Sequence, residues 1–538
     1  MQLEKFVDPL PIPPILKPER ENYDVTYYCV KMKEFKQKLH RDLPSTTLWG
    51  YEGMYPGPTI AVHRKEKVRV RWENHLPVSQ HLLPVDTTIH GAGPGEPRVR
   101  TVVHLHGANV DSKSDGYPEA WFTNDFRETG PEFTRETYEY TNDQQAATLW
   151  YHDHAIGTTR LNVYAGLAGV YIIHDECEKS LNLPKGKYDI PLVIQDKSFN
   201  EDGSLFYPAG PANPTPGIPN PSIVPGFLGD TILVNGKIWP YLEVEPRKYR
   251  FRSLNASNTR FYNLQLVSEN NASTPPWFQI GTDGGLLERP VPLNQLIIAP
   301  SERAEFIIDF SAFSGQNILI TNSQPPVNKD TTGQVMQFKV TLPLSKPDHG
   351  DIPAFLRPIY PLDECRVDKT RDMFIAVRPD KYGRPQFLLN NMMWDDDITE
   401  KPILNSVELW RLINSGRGIH PIHIHLVQFQ ILDRQPFDAD RYNNTGEIFA
   451  TGPAIPPDPN ERGWKDTVRS NPGFITRIIM RFKDYAGMYV WHCHILEHED
   501  YDMMRPIKVI KYKSKYTGKE AHIPPHTEGN DGGGEMVH

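Results

Sequence analysis

One pattern recurs three times along the chain and limits what it can fold into. The segments LWGYEGMYPGPTIAVHRKEKVRVRWEN, ILVNGKIWPYLEVEPRKYRFRSLN and FLLNNMMWDDDITEKPILNSVELWRLIN each open on an apolar run and a turn. Each then closes in an alternating strand on asparagine, at Asn74, Asn255 and Asn414. These asparagines are 181 and 159 residues apart, a domain-sized interval. In the second copy Tyr249 and Phe251 alternate with Arg250 and Arg252, which predicts a half-buried strand. The 50 prolines and 38 glycines punctuate short runs rich in Val, Ile, Tyr and Phe, and helical periodicity is scarce. The expected fold is therefore all-β. Three β-sandwich domains are expected over 1–176, 183–343 and 368–511, with a flexible tail over 512–538.

Composition narrows the function classes. The net charge is −9 and no long basic block occurs, which argues against nucleic-acid binding. No apolar run approaches the ~20 residues of a membrane helix. The N-terminus lacks a cationic head followed by an apolar core, so the expected place of synthesis and retention is the cytoplasm. Four scattered cysteines, Cys29, Cys177, Cys365 and Cys493, do not form a disulfide framework.

The 20 histidines are not randomly placed. None falls between Asp175 and Asp348, across the middle domain. Four His-x-His pairs occur outside it: His104/His106, His152/His154, His423/His425 and His492/His494. Chance placement would give about one such pair or fewer. The pairs lie in strand-like contexts, TVVHLHG, TLWYHDH, IHPIHIHL and YVWHCHI. Residues i and i+2 share one face of a strand, so each pair aims two imidazoles at one spot. A lone histidine there would be a hydrogen-bonded core residue; four matching pairs point to metal.

The last cluster selects the metal. In WHCHILEHEDYDMMRP, Cys493 stands between His492 and His494 and is followed by His498 and Met503, while His420 precedes the third pair. Two histidines, a cysteine and a weak axial methionine make the blue-copper electron-transfer set, whereas zinc sites close with four strong ligands and have no use for an axial methionine. Strand alternation lets Cys493 face one centre while His492 and His494 face another, which gives electrons a short covalent path.

These motifs resemble those of the multicopper oxidases, and most closely the bacterial spore-coat laccases, some of which are described as bilirubin oxidases. The resemblance runs from about residue 2 to about residue 510 and includes HRDLPSTTLWGYEGMYPGPTI, SDGYPEAWF, RLNVYAGLAGVYIIHD and HCHILEHEDYDMMRP. It implies three cupredoxin-like Greek-key domains, with a trinuclear copper site between the first and third and the middle one as spacer. It implies four copper ions. Type 1 copper would take His420, Cys493, His498 and Met503; type 2 copper His104 and His423; the type 3 pair His106, His152, His154, His425, His492 and His494. Asp115 and Glu499 fall where the family has carboxylates near the trinuclear channel, and a proton-relay role is expected of both.

The implied activity is that of a laccase. Small aromatic donors such as phenols would be oxidised and O2 reduced to water, by a monomer that assembles with spore-coat proteins. A cuprous-ion oxidase is the alternative, although the 12 methionines form no rich segment; a mainly structural coat protein is another. The family commonly carries a cysteine pair in its middle domain. Here Leu228 in PGFLGDTI and the stretch TNSQPPVNKD hold no cysteine, so that disulfide is expected to be missing.

Overall fold

The computed structural model describes residues 3–22, 24–269, 273–348 and 350–512. The expected tail beyond Tyr512 lies outside the described residues. Six sheets account for most of the fold, and they fall into three successive pairs. The first pair is a five-stranded sheet around Thr26–Gln37 and Val68–His75 and a four-stranded sheet ending in Val103–His106. The second pair has eight and five strands, and the third five and four. Strands dominate and helices are short, so the chain is an all-β assembly of cupredoxin-like sandwiches. No helix among the described residues is long and apolar enough to cross a membrane.

The three repeats do the same structural work. The strand that closes on asparagine pairs in parallel with an earlier strand each time: Val68–His75 with Thr26–Gln37, Lys248–Asn255 with Asp189–Phe199, and Val407–Asn414 with Lys369–Pro379. The asparagine then makes the turn that follows. Its Oδ1 accepts from the backbone N–H two residues on, at Leu76, Ser257 and Gly416. Its Nδ2 donates across the end of the sandwich, to Phe122, Ile298 and Ser470 carbonyls among others. All three asparagines are buried, where an amide left without partners would be costly.

The second repeat departs from its expected burial. Arg250 and Arg252 are 3% and 1% exposed, so the strand is buried on both faces rather than half-buried. The first unit covers the charged face. Arg252 donates to Asp189, Glu305 and Thr148, and Arg250 to Glu305. Glu178, from the helix after the first unit, pairs with both arginines. Burial alone would raise the Glu178 carboxyl, but the two guanidiniums hold it far below the usual carboxylate range. Beside this network Trp150, Val170, Val193 and Leu254 form an apolar seam between the first and second units. Such ion pairs are weak sources of stability, but they fix how two surfaces meet.

Candidate metal centres

The four His-x-His pairs come together in register. Val103–His106 and Ala147–Asp153 are antiparallel neighbours, and His104 lies opposite His152. His420–Ile424 and Gly487–Cys493 repeat the arrangement in the third pair of sheets, with His423 opposite His492. The two ladders face each other. His104 stacks on His425 with ring centroids 3.8 Å apart, and His106 on His423 at 3.6 Å. All eight rings are buried, at 0–1% exposure.

The ring nitrogens divide into an outer and an inner set. His104 Nδ1 meets the Asp115 carbonyl at 2.6 Å, His423 Nδ1 the Asp466 carbonyl at 2.8 Å, His152 Nδ1 the Asp153 carbonyl at 2.8 Å and His492 Nδ1 the Cys493 carbonyl at 3.1 Å. A carbonyl only accepts, so each of these outer nitrogens carries the proton and the opposite one presents a lone pair. Among the described residues, the inner nitrogens His104 Nε2, His152 Nε2, His423 Nε2 and His106 Nδ1 have no hydrogen-bond partner. His492 Nε2 sits 3.2 Å from His154 Nε2 and 3.3 Å from His425 Nε2. Burial holds the rings neutral, pushing His154 and His492 down to about 4 and His423 to about 3. Neutral imidazoles with converging lone pairs fit cations and little else.

The inner nitrogens resolve into groups. His106, His152 and His494 form one close triad, and His154, His425 and His492 form a second. His104 and His423 remain; they cluster with His106. A further group stands apart, made of His420, Cys493 and His498. There Cys493 Sγ lies 3.5 Å from His420 Nδ1 and 3.6 Å from His498 Nδ1. Met503 is buried in the same apolar cluster as Cys493, and its carbonyl accepts the Cys493 N–H at 3.0 Å. Burial pushes the Cys493 thiol far up, so a thiolate there needs a cation beside it. The Ile495 N–H reaches the sulfur at 3.4 Å and supports the anion.

Both expected relay carboxylates touch the histidine cavity. Asp115 Oδ2 accepts from His425 Nδ1 at 2.7 Å. Glu499 Oε2 lies 3.0 Å from His492 Nδ1 and Oε1 lies 3.4 Å from His154 Nδ1. Burial raises both, Glu499 to about 8. His498 differs from a ring with a freely exposed edge. It is only 7% exposed, Phe387 stacks on it at 4.0 Å, and it hydrogen-bonds the Pro225 backbone.

Two residues escaped the sequence reading. Asp466 Oδ1 accepts from His106 Nε2 at 3.0 Å while its carbonyl holds His423. Arg303, from the histidine-free middle unit, donates to Asp466 Oδ1 at 2.8 Å and also grips Oδ2. Burial would raise the Asp466 carboxyl, but Arg303 outweighs it and keeps the anion. No spacing signal marks GWKDTV in the sequence, because its partners come from the other two units.

Comparisons with known proteins give the family. Multicopper oxidase family models match residues 34–93, 97–178 and 368–512. A laccase of Bacillus subtilis (strain 168) is 56% identical over 514 residues, covering 95% of this chain and 99% of the relative. A laccase of Bacillus stratosphericus is 57% identical over 517 residues, covering 95% and 100%. Among solved structures, a laccase from Pediococcus acidilactici superposes with a TM-score of 0.74 at 30% identity, covering 94% of this chain and 95% of that one. The chain belongs to the multicopper oxidase family. It is a copper oxidoreductase of laccase type, and membership implies four coppers, one of type 1, one of type 2 and two of type 3.

Proposed function

We propose that the protein couples four one-electron oxidations of phenolic or related aromatic donors to the reduction of one O2 to two waters. The observation that carries this reading is the strand Gly487–Cys493, which turns Cys493 to one centre and His492 to the other. In this reading His420, Cys493, His498 and Met503 hold type 1 copper, and His104 and His423 hold type 2. The triads His106/His152/His494 and His154/His425/His492 hold the type 3 pair. Residues 1–176 and 368–511 then carry the ligands, and 183–343 holds them in place.

Bound copper supplies one-electron acceptance at the sulfur centre and O2 reduction at the histidine cavity. The chain supplies the rest. Each of four donors gives one electron and one proton, so that four electrons and four protons meet one O2. Cys493 is joined to His492 and to His494 by one peptide unit each, a path of bonds with no gap. The eight rings are buried, so a fixed carboxyl beside them is the nearest means of handing protons to the cavity. Glu499, raised by burial to about 8, holds a proton on its carboxyl at neutral pH beside His154 and His492. Asp115 holds His425 in the tautomer that presents Nε2 inward.

The test is O2 uptake by the copper-loaded protein with a methoxyphenol or with cuprous ion at matched concentration. Faster uptake with the phenol is expected. Faster uptake with Cu(I) would replace the aromatic donor by a metal ion, despite only two adjacent methionine pairs, Met392/Met393 and Met503/Met504. Bilirubin as donor and assembly on a spore coat follow only from resemblance. Bilirubin-dependent uptake and co-purification with coat protein would test them separately.

A further inference from the structure

The segment Ser222–Gly229 runs across the outer side of His498, whose Nδ1 faces Cys493 and whose ring also bonds the Pro225 carbonyl. Both ends of this segment are tied down by buried ion pairs. At the first end Asp86 Oδ2 accepts the Ile223 N–H at 2.8 Å and pairs with Arg384 at 2.7 Å, while Arg384 also reaches Ser222 Oγ at 3.1 Å. At the second end Asp196 Oδ2 accepts the Gly229 N–H at 2.7 Å and Arg260 Nε at 2.8 Å. Arg260 Nη2 then donates to the Gly229 carbonyl at 2.7 Å, so one peptide position is gripped from both its N–H and its C=O. The third arm of the same guanidinium, Nη1, donates to the Pro326 carbonyl at 2.9 Å.

Arg260 therefore joins the two stretches, PGFLGD and TNSQPP, that hold no cysteine in this chain. Asp196 and Arg260 are 3% and 4% exposed, so the link is shielded from solvent. Gly229 also packs where any side chain would strike the Lys197 backbone, at 2.5 Å from its nitrogen. Between the two ends, Phe227 N–H meets Thr259 Oγ1 at 3.3 Å, and Thr259 donates to Glu497, in the turn that carries His498. Pro225 is exposed and Phe227 and Leu228 are half-buried, so this segment presents surface next to the ring.

We infer that Arg260, paired with Asp196, is a positioning residue that holds the Pro225–Gly229 segment as a fixed rim over His498 and so sets how an aromatic donor approaches that ring. The inference rests on the proposed aromatic-donor reading. It assigns to a buried guanidinium, with three directional donors, the cross-linking task that a covalent bond could serve. Lysine cannot replace it, because an ammonium keeps the charge opposite Asp196 but not the planar fork that spans Asp196, Gly229 and Pro326.

The experiment compares the copper-loaded wild type, Arg260→Lys and Arg260→Gln. Two readouts are taken at equal copper content and equal blue absorbance: kcat and KM for guaiacol, and the rate of chymotryptic cleavage of the Phe227–Leu228 bond followed by mass spectrometry. Cleavage reports opening of the segment whether or not the enzyme turns over. Arg260→Lys should raise KM about tenfold with kcat within about twofold, and should speed cleavage by a similar factor. Arg260→Gln should go further in the same direction; if it does not fold, the lysine variant decides. KM and cleavage both unchanged in Arg260→Lys would overturn the inference. So would a change in either one alone, since Arg260 would then act elsewhere or the rim would not govern approach. If the wild type takes up no O2 with guaiacol, the proposed function fails, while the cleavage rates still decide whether Arg260 holds the rim.

Discussion

His492 and Cys493 are neighbours on one strand, yet their surroundings follow different rules. His492 enters a cavity of eight imidazoles in which carbonyls and carboxylates take the outer N–H groups and leave lone pairs pointing inward. Cys493 enters an apolar pocket with His420, His498 and Met503, where the sulfur's nearest polar support is one backbone N–H. The first environment suits several cations and proton traffic. The second suits a single soft ion and electron traffic alone. The period-two geometry of one strand keeps the two apart and still bonds them together.

The comparison breaks most completely at the sulfur. Cys493→Ser should abolish the blue absorption and cut O2 uptake by about 10³-fold or more, while copper at the histidine cavity stays bound; uptake near the wild-type rate would show that electrons do not pass through this residue. Glu499→Gln acts on the other side. Turnover should fall about 10²-fold with the blue band intact, and the loss should lie in reoxidation by O2. Unchanged reoxidation at every pH would remove Glu499 as the proton source.

The contrast sharpens with Met503→Leu, which should raise the potential of the sulfur centre and leave the cavity as it is, measured by redox titration of the blue band. A lowered potential would show that Met503 is not axial.

The smallest effect concerns a histidine that binds no metal. His81 is buried, its Nε2 meeting Asn162 at 2.9 Å, and burial pushes it down to about 4. The unfolded chain binds this proton near the ordinary value of about 6.5 and the folded chain only near 4. Stability is therefore complete above 6.5 and is lost as pH falls towards 4, by about 3 kcal/mol from this ring. His81→Asn should flatten the acid limb of the denaturation curve by about one proton, and an unchanged slope would contradict the assignment.

What the sequence disclosed, and what it hid, follows the same division. The histidine pairs were legible because period two makes a local spacing into a shared face, and Cys493 was legible because its neighbours in the chain are its functional neighbours. The repeated asparagines were legible as repeats, although their role in the turn became visible only with the hydrogen bonds. Asp466 and Arg303 could not be read. Asp466 meets His106 across 360 positions and Arg303 across 163, and nothing local marks such a pairing. The burial of Arg250 and Arg252 is hidden for the same reason, since alternation within a strand cannot reveal that another unit covers its charged face. The allocation of inner nitrogens to two triads likewise required the first and third units to face each other.

The most direct test is anomalous diffraction at the copper edge from crystals of the fully loaded protein. The account predicts four sites per chain. One should lie among His420, Cys493 and His498, two within the triads His106/His152/His494 and His154/His425/His492, and one between His104 and His423. Copper absent from Cys493, or a single ion in the histidine cavity, would contradict it.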